Sequence, residues 1–175
     1  SGAVLQMFSH GIIAGLLFAV VGRMVYDRTH TRELAALSRM RLNQALPFAA
    51  VTFVIAGLAS MGLPGFSGFV AELQVLIGAW KTFPILTGLA GMGIVVGIAF
   101  MTRAIQQSFY SGAAPAPDEP PLAPLDPISM PERCGAVILI ATTLLIGLYP
   151  KLLLDLIEPS LNSPLMIQVL KGAGP

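Results

Sequence analysis

The chain has few charged residues and a single cysteine, and each shortage excludes a class of protein. Only 11% of its 175 residues are charged, whereas a soluble domain has about a quarter. A net charge of +1 gives no electrostatic support for binding nucleic acid. The lone Cys134 excludes an internal disulfide and a site with several cysteine ligands. Because 55% of the residues are hydrophobic, the composition predicts an integral membrane protein in a lipid bilayer.

Motifs for redox and hydrolytic chemistry are also missing. The sequence has no dinucleotide-binding glycine fingerprint, no haem motif and no cysteine cluster. It offers no Ser-His-Asp or paired-carboxylate arrangement. His10 and His30 do not make a metal site by themselves. We therefore expect no catalytic residue, metal site or cofactor in this chain.

The apolar runs predict an all-α polytopic helix bundle. A membrane-spanning helix needs about 20 apolar residues. Four spans are predicted, at 1–23, 46–80, 85–108 and 134–157. A basic loop at 24–45 and a proline-rich linker at 111–133 connect them, and an outer-face tail follows at 158–175.

The distribution of arginine predicts the orientation in the membrane. Five of the ten Lys and Arg residues lie between residues 23 and 43. Such loops remain in the cytoplasm. We therefore expect the 24–45 loop on the cytoplasmic side, the C-terminus on the outer side, and a bacterial inner membrane as the location.

The linker at 111–133 contains seven prolines, which exclude a helix there. Two interpretations are open: a strap that docks on a neighbouring subunit, and a solvated loop. We favour the solvated loop.

The second span is predicted to be broken in the middle. A continuous helix over 46–80 would reach about 52 Å, well beyond a hydrocarbon core of about 30 Å. Pro64 removes a backbone donor, and Gly65 and Gly68 loosen the backbone on either side of Ser67. The economical interpretation is two half-helices joined by an unwound link at 63–68, a device common in transporters.

Glu72 follows this link and is the only ionisable side chain between Arg41 and Lys81. A carboxylate at membrane depth is costly, and ion or proton transfer is the usual reason for one. The alternative is a structural acid that is hydrogen-bonded or permanently paired. His10 suits proton relay because histidine titrates near neutrality. Its alternative is a packing histidine held by Gln6, one turn away, or by Ser9.

Three stretches together resemble one family. They read LQMFSHG at 5–11, YDRTHTRE at 26–33 and GLPGFSGFVAE at 62–72. In order and spacing they resemble the subunit M (chain 4) family of proton-pumping NADH–quinone oxidoreductase, respiratory complex I. The resemblance implies that the chain is the C-terminal part of a fourteen-helix antiporter-like fold, with the second span as a discontinuous helix.

The resemblance also implies roles for individual residues. Glu72 matches the key ionisable residue of the second discontinuous helix, which is Glu in subunit M and Lys in its sister subunits. His10 matches a histidine on the central polar axis. Ala14 stands where one sister subunit has a lysine. Gln6 and the link residues Pro64, Gly65, Ser67 and Gly68 would support this proton path.

The expected function is proton translocation by a subunit of an NADH:quinone oxidoreductase. NADH, FMN, iron–sulfur clusters and quinone would belong to the wider complex, and sister antiporter-like membrane subunits would be the partners. One alternative is a subunit of an Mrp-type cation/proton antiporter or of a membrane-bound hydrogenase. Another is a passive structural membrane subunit.

Overall fold

The computed structural model describes residues 1–111 and 124–172, without the side chains of 165 and 170–172. Both ranges are helical and contain no strand, so the predicted all-α class is confirmed. Residues 112–123 of the predicted linker and 173–175 of the tail lie outside the described residues. The helices are α1 (Gly2–Thr29), α2 (Leu34–Arg39), α3 (Leu42–Ala45), α4 (Pro47–Ser60), α5 (Ser67–Trp80), α6 (Pro84–Tyr110), α7 (Met130–Leu148), α8 (Lys151–Leu161) and α9 (Pro164–Gly172).

Three of these helices, α1, α6 and α7, are long and apolar enough to cross a membrane. Helix α1 continues to Thr29, past residue 23 where the predicted span ends. Its extension is stabilised by an ion pair from Arg23 to Asp27, 2.8 Å long and one turn apart. At 28 residues α1 has more than the roughly 20 residues that a membrane-spanning helix needs.

The segment predicted as one broken span contains two helices of 14 residues each, α4 and α5. Gly62 ends α4 in the left-handed conformation, with φ of 70°. The N–H groups of Gly62 and Leu63 return to the carbonyls of Ala59 and Leu58, at 3.3 and 3.2 Å. This is the Schellman closure, which satisfies the last carbonyls of a helix.

The link between the two helices comprises residues 61–66, two residues earlier at each end than the predicted 63–68. A turn follows Leu63, in which Phe66 N–H donates to the Leu63 carbonyl at 3.3 Å. Pro64 and Gly65 occupy its centre, with φ of 105° at Gly65, as a type II turn requires. Ser67 and Gly68, which we expected in the link, belong to the first turn of α5.

Core contacts show that α4 and α5 both pack against α1 and run antiparallel to it. Near the start of α1, Leu5 packs with Ala71 of α5. Ile13 then packs with Ala59 and Phe66 at the link. The second half of α1 shares a core with α4, which includes Leu16, Val20, Met24, Val25, Ala49, Ala50, Phe53 and Ala56. The link therefore lies halfway along α1.

Helix α7 begins at Met130, and the fourth span, predicted at 134–157, is divided between α7 and α8 at Tyr149–Pro150. Glu132 accepts the backbone N–H of Ser129 and forms an ion pair with Arg28, at 2.8 and 2.9 Å. The Arg28 side chain also donates to the carbonyls of Asp126 and Pro127. This end of the linker is thus fastened to α1 of its own chain, which neither interpretation of the linker anticipated.

Candidate functional site

The Glu72 side chain lies across the helix break. Glu72 is in the second turn of α5 and is half-buried. A β-carbon placed on Gly62 would lie 2.5 Å from Glu72 Oε2, so the carboxyl group lies directly against the residue that closes α4. The carbonyl end of α4 has partial negative charge and the amide end of α5 partial positive charge. The electrostatic surroundings of the carboxyl therefore depend on the geometry of the link.

Two glutamines lie near the interface of α1 and α5. The Gln6 side chain lies next to the Glu72 carboxyl, and Gln74 lies beside Gly2 at the start of α1. The amide oxygens of Gln6 and Gln74 are buried and accept no hydrogen bond within the described ranges. Since an unpaired buried acceptor costs about 1–3 kcal/mol, both oxygens would be stabilised by a hydrogen-bond donor from a neighbouring segment. Sequence reasoning missed Gln74, although it is the one other polar side chain between Glu72 and Trp80.

His10 does not reach Glu72. Its side chain is exposed on α1 and makes no hydrogen bond within the described part of the chain. Ser9, one of its two expected partners, donates its hydroxyl to Ser67 instead. The structure thus brings Gln6 to Glu72 and leaves His10 on an open face of α1.

Helix α7 packs against the link, and the start of α5 packs against the end of α4. A β-carbon on Gly68 would lie 3.0 Å from the Ala59 carbonyl oxygen, so α5 begins against the end of α4. From the other side, a β-carbon on Gly147 of α7 would lie 2.2 Å from the Gly65 carbonyl oxygen. Pro64 is exposed. Gly147 was not predicted, because a contact with a distant segment leaves no local pattern.

Similar proteins share both the sequence and the arrangement of the helices. Residues 1–100 match the family described as NADH:quinone oxidoreductase/Mrp antiporter, TM. NADH-quinone oxidoreductase subunit M of Rhodobacter capsulatus is 36% identical over 91% of this chain and 30% of its own length. NAD(P)H-quinone oxidoreductase chain 4 2 of Synechococcus sp. (strain JA-3-3Ab) is 37% identical over 93% of this chain and 31% of its own length.

A solved structure gives the same result. One chain of the respiratory complex I from Thermus thermophilus with bound NADH has a TM-score of 0.73 and 31% identity, over 85% of this chain and 30% of that chain. This chain therefore spans roughly a third of the length of the relatives it matches. Because the family model covers more than half of the chain, the resemblance seen in the sequence is confirmed, and the protein belongs to the NADH:quinone oxidoreductase/Mrp antiporter family of transmembrane proteins.

Proposed function

We propose that this chain is part of the proton-translocating membrane subunit M of an NADH–quinone oxidoreductase, and that Glu72 takes up and releases the proton. The observation that carries the proposal is the half-buried Glu72 carboxyl lying against Gly62 across a helix break. Non-helical backbone at membrane depth is tolerated where it is buried in protein or lines a wet cavity. An acid at such a break is suited to exchange protons with water or with polar side chains.

In this proposal α4, the link and α5 form one discontinuous span. It is the second of four spans in this chain, which is part of a fourteen-helix antiporter-like fold. Both α4 and α5 run antiparallel to α1, one after the other. Each alone is only about 21 Å long, too short for a hydrocarbon core of about 30 Å, which supports a single span made of both. The arginine-rich loop after α1 would face the cytoplasm of a bacterium, and the tail would lie at the outer face of the inner membrane.

In this proposal His10 relays protons to Glu72 through polar side chains of other helices of the full-length subunit. Its exposure on α1 supports this role, because an exposed histidine is free to contact neighbouring segments. Electron transfer from NADH through FMN and iron–sulfur clusters to quinone would take place in other subunits. Sister antiporter-like subunits would be the membrane partners.

The test compares inverted membrane vesicles from cells with and without the gene for the full-length subunit. NADH should cause proton uptake only in vesicles that contain the subunit, and a sodium pulse alone should cause no proton exchange. Sodium-dependent exchange without NADH would contradict the proposal and favour the Mrp-type antiporter. Uptake driven by hydrogen instead of NADH would favour the membrane-bound hydrogenase.

A further inference from the structure

Three hydroxyl groups from three helices form a buried chain at the link. Ser9 of α1 donates to the hydroxyl of Ser67, the first residue of α5. The Ser67 hydroxyl lies 2.9 Å from that of Thr143 in α7. All three side chains are at most 1% exposed. Because a buried hydroxyl without a partner is costly, these groups satisfy one another, and we call them the hydroxyl chain.

Thr143 departs from the usual behaviour of threonine in a helix. A helical threonine commonly donates to the carbonyl four residues earlier. The neighbouring Thr142 does so, with its hydroxyl 2.8 Å from the Ile138 carbonyl oxygen. The Thr143 hydroxyl instead pairs with Ser67 across the helix interface. The two adjacent threonines of α7 therefore have different hydrogen-bond partners: Thr142 pairs within its own helix, and Thr143 pairs with another helix.

The hydroxyl chain fastens the half-helix that carries Glu72. Ser67 lies five residues before Glu72 in the same helix, so a shift of Ser67 moves the carboxyl group. Gly147, one turn after Thr143, touches the link at Gly65 and Phe66. Helix α7 thus contacts the break at two successive turns. Since closely packed helices transmit displacements, both contacts fix the position of the first turn of α5.

We propose that Ser9 and Thr143 are positioning residues, which hold the Glu72 carboxyl against Gly62 through the hydroxyl of Ser67. This rests on the proposed function of Glu72 as the proton-transfer group. A displacement of a reacting group by about 1 Å can slow a reaction by on the order of a hundredfold, so a small fraction of that displacement at the start of α5 would slow proton transfer measurably.

The test replaces Thr143 with Val in the full-length subunit of the assembled complex. Valine keeps the approximate shape of threonine but removes the hydroxyl that pairs with Ser67, which is left with Ser9 as its one partner in the hydroxyl chain. We expect about fivefold slower proton translocation at an unchanged rate of NADH oxidation, the factor that corresponds to one buried hydrogen bond. Thr143→Ser, which restores the hydroxyl, should return translocation to the wild-type rate. Thr142→Val is the matched control and should leave it unchanged.

The outcomes separate the two proposals. If Thr143→Val translocates protons like Thr142→Val while Glu72→Gln does not, the positioning role is wrong and the function of Glu72 stands. If Thr143→Val and Thr143→Ser are equally slow, the effect comes from packing, and the hydrogen bond has no positioning role. Normal translocation in Glu72→Gln would overturn the proposed function whatever the result at Thr143.

Discussion

Replacing Glu72 with Gln in the full-length subunit is expected to slow NADH-driven proton translocation by on the order of a hundredfold, because a group that transfers protons is lost. Glutamine keeps the length of the side chain and can still pair with Gln6, but it does not take up or release a proton. The complex should still assemble, since neither of the two ion pairs in the described residues involves Glu72. Proton uptake by inverted vesicles, measured beside NADH oxidation, gives the result.

Two further variants make this measurement specific. Glu158→Gln removes an exposed carboxylate on α8 and should translocate protons at the wild-type rate. Glu72→Asp keeps a titratable group but withdraws it from Gly62, and should give an intermediate rate. Equal rates in Glu72→Gln and Glu158→Gln would show that Glu72 is a structural acid.

Replacing Gly147 with Ala is expected to force α7 and the link apart. Its β-carbon would lie 2.2 Å from the Gly65 carbonyl oxygen and 2.4 Å from the Phe66 carbonyl carbon. Both are backbone atoms that do not rotate away, so either α7 or the link must move. We expect a loss of about 3 kcal/mol in stability, the upper part of the range for overpacking. Thermal denaturation of the detergent-solubilised complex would detect it.

Gly135 of the same helix provides the control for this substitution. A β-carbon on Gly135 meets no atom within 4 Å, so Gly135→Ala should leave stability unchanged or raise it by about 1 kcal/mol through helix propensity. The contact between α7 and the link would be refuted by equal melting temperatures of the two variants. Proton translocation should fall only in Gly147→Ala, because only this change displaces the link.

The break and its acid were predictable because their signals are local. Pro64 and Gly65 interrupt a helix wherever they occur together, and both form the central turn of the link. Glu72 was conspicuous as a lone acid in an apolar run. The exact ends of the link were less predictable. Gly62 closes α4 early in the left-handed conformation, and Ser67 already belongs to α5.

The contacts that hold the break could not be predicted from the sequence. Ser9, Ser67 and Thr143 are far apart along the chain, and small hydroxyl residues are common in membrane helices. Nothing in the local sequence distinguishes Gly147 from the other glycines of apolar spans; only its contact with the link does. The spacing of Gln6 and His10 predicts a shared helix face, whereas Gln6 lies next to Glu72 of another helix. Such pairings depend on the arrangement of helices, which local patterns do not contain.

The central claim, that Glu72 changes its protonation during turnover, is tested most directly by infrared difference spectroscopy of the assembled complex. NADH-driven turnover should produce a carboxyl band that is present in wild type and Glu158→Gln and absent in Glu72→Gln. A Glu72 carboxylate that stays ionised throughout turnover, with no band assigned to it, would contradict the account and leave Glu72 as a structural residue of the break.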